Sequence, residues 1–216
     1  IYSVISNHPA MQLSFPLIIH CPHCNQRHTR TNLMSGNTFG GIFWSDGSYF
    51  APMLPDLPVF TRCTGCGEIL NIFKARHEEA GSWEEADGLP SVGHLSPEDI
   101  REALESGRYQ AAEEMIYLRR RLWWSMNDHP YGDETPTATE VTGEYRDNAI
   151  ALMSLLSGES NGDLITKAEL YRNLGDYEMC LEILTKINEP SLNTQKVQIE
   201  EASRKKISGT IRFNNS

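Results

Sequence analysis

Cys21-Pro22-His23-Cys24 and Cys63-Thr64-Gly65-Cys66-Gly67 are the two stretches whose reading decides the first half of this chain. Each places two thiols three positions apart. A tight turn lets both thiolates of such a pair face one tetrahedral ion, and Pro22 and Gly67 suit those turns. One pair is a weak signal, but here two pairs use four of the five cysteines. No basic-then-apolar leader opens the chain, so the pairs point to a metal and not to a disulfide framework. Four thiolates suit zinc, which needs no redox chemistry and favours soft ligands at about 2.3 Å. Iron in the same four-sulfur geometry, or free and redox-active thiols, are the alternatives. Four protein ligands close the coordination shell. The expected ion is therefore structural, bound by Cys21, Cys24, Cys63 and Cys66, and it helps to fold a small domain with little core of its own. His20, His23 and His28 lie nearby in sequence and are read as outer-sphere or surface residues.

Around the two pairs the chain reads as short strands. Leu13 to His20 and Ile69 to Phe73 are apolar runs, while Ser35-Gly36-Asn37, Gly40-Gly41, Ser45-Asp46-Gly47-Ser48 and Cys66-Gly67 are turn signals. Pro52, Pro55 and Pro58 deny regular structure to the stretch between them. An insert over residues 35–59 concentrates Phe39, Phe43, Trp44, Tyr49 and Phe50 among glycines. Those rings are a candidate ligand or partner surface, with packing as a substitute core as the other reading. No Gly-Lys-Ser/Thr follows, so the glycines form no phosphate loop.

Residues 77–94 are polar and Gly-rich, a composition that buries little apolar area, and they are expected to link two domains. Helices follow. Leu95-Ser96-Pro97-Glu98-Asp99-Ile100 combines a capping Ser, a Pro at the first helical position and acids in the first turn. That helix is expected to run to about Glu105 and stop at Gly107. A longer one is expected from Tyr109 to Met126, with Tyr109, Ala112, Ile116, Trp123 and Met126 on one face. After a Pro- and Thr-rich loop over 128–140, helices are expected over Glu144–Leu156, Leu164–Leu174, Tyr177–Ile187 and Thr194–Ile207. The fold class is thus α+β: a β-rich metal-binding domain over 1–76, a linker over 77–94, and an all-helical domain over 95–216. Arg119-Arg120-Arg121 beside Trp123-Trp124 is read as a solvated face, with a clamp for an acidic partner as the alternative.

Residues 20–75 resemble a zinc ribbon, with rubredoxin-type knuckles that are also similar to those of CpXC-type bacterial domains. The gap of 38 residues between Cys24 and Cys63 departs from the ribbon spacing of about 15–20. The resemblance implies a metal site and says little about function, since ribbons serve nucleic-acid binding, protein docking and plain stabilisation. Ala168, Tyr171, Gly175, Tyr177, Leu181, Leu184 and Pro190 are similar to one tetratricopeptide unit, with Gly175-Asp176-Tyr177-Glu178 as its turn. Cys180 stands where that family has a close-packed Ala, which implies a buried thiol outside the metal site. Gly107-Arg108-Tyr109 and Gly143-Glu144-Tyr145 echo the turn, irregularly, so the expected form is a tetratricopeptide-like array of helical hairpins and not a regular superhelix.

Charge separates the halves. Residues 1–76 hold five Lys/Arg against three Asp/Glu, and residues 77–216 hold fourteen against twenty-six, balances of +2 and −12. So acidic a C-terminal half repels phosphate backbones, and the other half is barely basic. No apolar run approaches the roughly 20 residues that span a bilayer. Met11 is read as a candidate start, with residues 1–10 upstream and without functional weight, in a soluble, cytoplasmic protein. His77-Glu78-Glu79-Ala80-Gly81 lacks the second His of a zincin helix, and neither a nucleophile elbow nor a dinucleotide fingerprint is present. The expected function is protein interaction, as an adaptor or scaffold: structural zinc stabilises the chain, and helices dock a protein or peptide. The alternatives are a nucleic-acid-binding ribbon using the aromatic insert, and an enzyme with an unrecognised site between the halves.

Overall fold

The strand Leu17-Ile18-Ile19-His20, buried at three of its four positions, and its hydrogen-bonded partners organise the N-terminal half. The computed structural model describes residues 11–129 and 137–214, so the readings of residues 1–10 and of 130–136 in the Pro-rich loop lie outside the described residues. The architecture is α+β, in two compact units. The first takes the described residues of Ile1–Gly41 together with Phe50–Asp99. The second takes Ile42–Tyr49 together with the described residues of Ile100–Ser216. Among the described residues no helix is long and apolar enough to cross a membrane.

In the first unit β1 (Gln12–Leu13) pairs with β4 (Leu33–Ser35). β2 (Leu17–His20) runs antiparallel to β3 (Arg27–Arg30), in the register Leu17↔Arg30 to His20↔Arg27. Two short strands, β5 (Ile42–Phe43) and β6 (Tyr49–Phe50), form the hairpin where the chain passes into the second unit and back. β7 (Phe60–Arg62) and β8 (Ile69–Asn71) form another hairpin. Ile19, Cys21, Cys63, Leu70, Ile72 and Ala75 make one buried cluster, so two of the paired cysteines are core residues.

Residues 77–94, read from sequence as a linker, are built into this unit. β9 (His77–Glu79) pairs with the free edge of β2. The Thr29 amide donates to the Pro90 carbonyl at 2.8 Å, and the Val92 amide to Thr29 at 2.8 Å, so the other edge of β3 is covered too. The physical reason is that a β-ladder is made by backbone groups. The side chains of His77, Glu78 and Glu79 stay exposed while their backbones pair.

The helices lie close to their expected places: α1 (Pro97–Glu105), α2 (Ala112–Ser125), α3 (Gly143–Leu155), α4 (Asn161–Asn173), α5 (Tyr177–Thr185) and α6 (Asn193–Arg204). Ser96 and Asp99 cap α1 reciprocally, each side chain accepting the other's amide at 3.1 Å. α2 begins three residues later than Tyr109. Gly107 takes a left-handed φ of 66°, and the Gln110 side chain bonds back to its carbonyl, which holds 107–111 in a turn. Gly143 is the first residue of α3, behind the Thr142 cap, and is not a turn glycine, so the middle echo of the repeat motif has no matching geometry. Between α4 and α5, Gly175 takes φ 83° and Asp176 caps the Met179 amide.

The residues Trp44-Ser45-Asp46 lie inside the second unit. Asp46 accepts from Asn127 and His129, both at 2.8 Å, and from Ser48, while Trp124 donates to its carbonyl at 2.9 Å. The Ser45 hydroxyl donates to Glu169. Glu169 and Arg172 form an ion pair whose side chains are both 0% exposed, with the guanidinium also donating to the Ile207 carbonyl. Trp123, fully buried, donates to Tyr145 and Asn173. Trp124 faces elsewhere, under the Arg121 guanidinium. Arg119 reaches Asn148 at 3.3 Å, and burial lowers the pKa of both Arg119 and Arg120, so the arginine run is partly desolvated and not simply a solvated face.

Burial would raise the Asp46 pKa, but the hydrogen bond and charge of His129, with Ser48 and Asn127, outweigh it and hold the carboxyl below its ordinary 3.8. A carboxyl so lowered contributes stability above its unfolded value and loses it as pH falls. Two outcomes are expected in denaturant titrations. Asp46→Asn flattens the loss of stability that sets in from about pH 5 downward. Glu169→Gln, which strands a buried guanidinium, costs about 3–5 kcal/mol, whereas Glu182→Gln, in the exposed pair with Lys186, costs less than about 0.5.

Candidate metal centre

The two cysteine pairs occupy the ends of the β2–β3 and β7–β8 hairpins, and their backbones repeat each other. In the first, the Cys21 amide donates to the Gln26 carbonyl and the Asn25 amide to the Cys21 carbonyl, both at 2.9 Å. In the second, the Cys63 amide donates to Glu68 and the Gly67 amide to Cys63, again at 2.9 Å. Four positions after each leading cysteine the chain takes a left-handed conformation, φ 60° at Asn25 and 76° at Gly67. Gly and Asn are the residues that adopt it at least cost. Each turn buries its leading thiol, Cys21 or Cys63, and exposes its trailing one, Cys24 or Cys66.

The four sulfurs lie within 4.8 Å of one another. The Cys21 and Cys66 sulfurs are 3.8 Å apart, and those of Cys24 and Cys63 are 3.6 Å apart. A tetrahedron with metal–sulfur bonds of about 2.3 Å has edges of about 3.8 Å, so the cluster has the size that an ion such as zinc requires. The same separations are far from the roughly 2.05 Å of a disulfide. The donor set fits a metal, and His20, His23 and His28 stand outside it.

The electrostatics of the cluster suit a cation. Burial pushes the Cys21 thiol up. The Gln26 amide pulls Cys24 down, but desolvation and the neighbouring thiols of Cys66, Cys63 and Cys21 outweigh it and carry Cys24 up to about 12. Against desolvation, the amides of Cys66 and Gly65 and the thiols of Cys24 and Cys21 bring Cys63 down to about 7. Without a cation the cluster ionises unequally. A dication removes the repulsion and makes four thiolates compatible.

Two histidines brace the turns from outside. His20 bridges Asn25, at 3.3 Å, and Glu78, at 3.0 Å. The buried His28 ring accepts the Thr64 amide through Nε2 at 3.2 Å, linking β3 to the second turn, and burial lowers its pKa. Asn25 and Thr64 escaped the sequence reading. The signal for Asn25 was its equivalence to Gly67, each standing directly after a Cys-x-x-Cys pair; nothing local announces the pairing of His28 with Thr64.

The remaining candidate residues differ in their exposure. Trp44 is 3% exposed, with its ring against His129. Phe43 and Tyr49 stack on each other with centroids 6.0 Å apart, while Phe39 and Phe50 are exposed. Cys180 is fully buried between α5 and α6, 3.0 Å from the Ser203 hydroxyl, and burial pushes its thiol up to about 11.

Elemental analysis of metal-replete protein should find one equivalent of tetrathiolate-bound ion, and cobalt substitution should give the visible bands of a tetrahedral sulfur site. Cys63→Ser should lose both signals and unfold the first unit. Metal uptake near neutral pH should release at least about two protons per ion, measured in buffers of different ionisation enthalpy, because Cys21 and Cys24 are held protonated without it.

Compared with protein-family models, with curated proteins and with solved structures, the chain matches none of them, so what can be said of this site rests on its own residues and their geometry.

Proposed function

We propose that this chain is a zinc-stabilised interaction protein: a zinc-ribbon-like unit held by a structural ion on Cys21, Cys24, Cys63 and Cys66, and a tetratricopeptide-like helical unit that docks a protein or peptide. Zinc is favoured over iron because it suits a closed tetrathiolate shell and needs no redox chemistry. The α4–α5 hairpin supports the repeat reading, since Ala168, Cys180 and Leu184 are fully buried where such a unit packs closely.

The observation that carries the docking reading is an open groove of about 470 Å³ on the second unit. Ile150, Met153, Tyr171 and Leu174 floor it, and Arg146 and Asp176 stand at its edges. Ile150 is 52% exposed in the middle of α3, where a helix without a partner would carry a polar residue. The −12 balance of residues 77–216 favours a basic, amphipathic segment, with apolar contacts supplying affinity and charge supplying orientation. For the nucleic-acid alternative Trp44 is buried and offers a base no face, which leaves Phe39 and Phe50 as the exposed rings of the insert.

Fluorescence anisotropy with labelled basic amphipathic peptides is expected to give dissociation constants in the micromolar range, weakened more than about tenfold by Ile150→Lys. Labelled single- and double-stranded oligonucleotides are expected not to bind comparably at physiological salt. Micromolar oligonucleotide binding without peptide binding would reverse the order of the two readings.

A further inference from the structure

A cavity of about 360 Å³ lies within the second unit, away from the groove on α3 and α4. Its apolar lining comes from separate parts of the chain: Phe43 and Trp44 from the hairpin, Ile165 from α4, Leu192 before α6, and Phe213 from the C-terminal segment. We infer that this cavity is a binding site for a small, uncharged ring compound of about two-ring size.

Size is the first argument. A cavity of about 150 Å³ holds a single benzene ring, and small-molecule sites begin at about 300 Å³. Rigidity is the second. The Trp44 amide donates to Ser48 at 3.0 Å, the Ser45 amide to Ile211 at 2.9 Å and the Phe213 amide to Phe43 at 2.8 Å. These backbone bonds clamp the hairpin to the C-terminal segment and keep the walls apart, so the space is preformed for a ligand and does not close on itself.

Charge is the third argument and selects the chemical class. No Lys or Arg lines the cavity, and its single acid is Asp46. Both oxygens of that carboxylate are already engaged, one by Ser48 and the other by Asn127 and His129. A charged ligand would be desolvated here with nothing to pair with. The rest of the polar lining is neutral, from Ser45, Ser48, Thr166, Thr194, Gln195 and Asn214, and Gln195 carries a buried acceptor oxygen with no hydrogen-bond partner among the described residues. An apolar ring against Phe43, Trp44 and Phe213, with a neutral polar group beside α6, satisfies all of this.

The test uses the full chain and three probes of one shape: indole, the anion indole-3-acetate and the cation tryptamine. Titration followed by amide nuclear magnetic resonance should show indole saturating below about 1 mM, with shifts at residues 43–48, 165–166 and 192–195. Both charged analogues should bind at least about tenfold more weakly. Thr194→Trp, a substitution at an exposed residue on the rim, should weaken indole binding by a similar factor while leaving the thermal midpoint unchanged. No saturation by 5 mM indole, equal binding of the charged probes, or shifts confined to the cavity beside Trp83 in the first unit would each overturn the assignment.

Discussion

Cys21 and Cys63 belong at once to the four-sulfur cluster and to the buried cluster that holds the first unit together. The strands around them are short, three or four residues each, and strands of that length are not stable alone. Their two hairpins are tied through the turns that carry the cysteines. The convergence of four sulfurs and the packing of Ile19, Leu70 and Ile72 therefore form a single event, and neither is complete without the other. His20 and His28 extend the dependence outward, to Glu78 on β9 and to the Thr64 amide.

The second unit solves its packing problem differently. α4 carries a charged pair, Glu169 and Arg172, in its C-terminal half, where nearly every residue is buried. Desolvating that pair is costly unless every lone pair and donor is met, and the partners come from Ser45, Asn173 and the Ile207 carbonyl. Such a network contributes little net stability over an apolar core, but it rejects any arrangement that leaves one member unpaired.

What could be read beforehand follows from this. The four-cysteine cluster was legible because a chelating turn needs its thiols three apart, a local requirement that spacing records. Helix α1 was legible from its capping Ser96, and the break between α4 and α5 from the turn Gly175-Asp176. The role of Trp44-Ser45-Asp46 was not, because Ser45 meets Glu169 across 124 positions and no local pattern encodes such a meeting. Polarity suggested a linker over 77–94, yet β9 is held by backbone amides that composition does not report. Within the cysteine turns, Asn25 shows how two different residues answer one conformational demand.

The passage of Ile42–Tyr49 into the second unit has a consequence for the order in which the chain is completed. During synthesis, the hairpin bearing Ser45 and Asp46 leaves the ribosome long before α4 exists, and its polar groups must stay in water until Glu169 arrives. Contacts so far apart in sequence are slow to form. The first unit, by contrast, has all its cysteines by residue 66 and all its strands by residue 79. It can be finished while the helices are still being made, provided that its loop at 42–49 remains open. The two units are thus separate as packed bodies but consecutive as folding events, with the earlier one carrying a piece that only the later one can use.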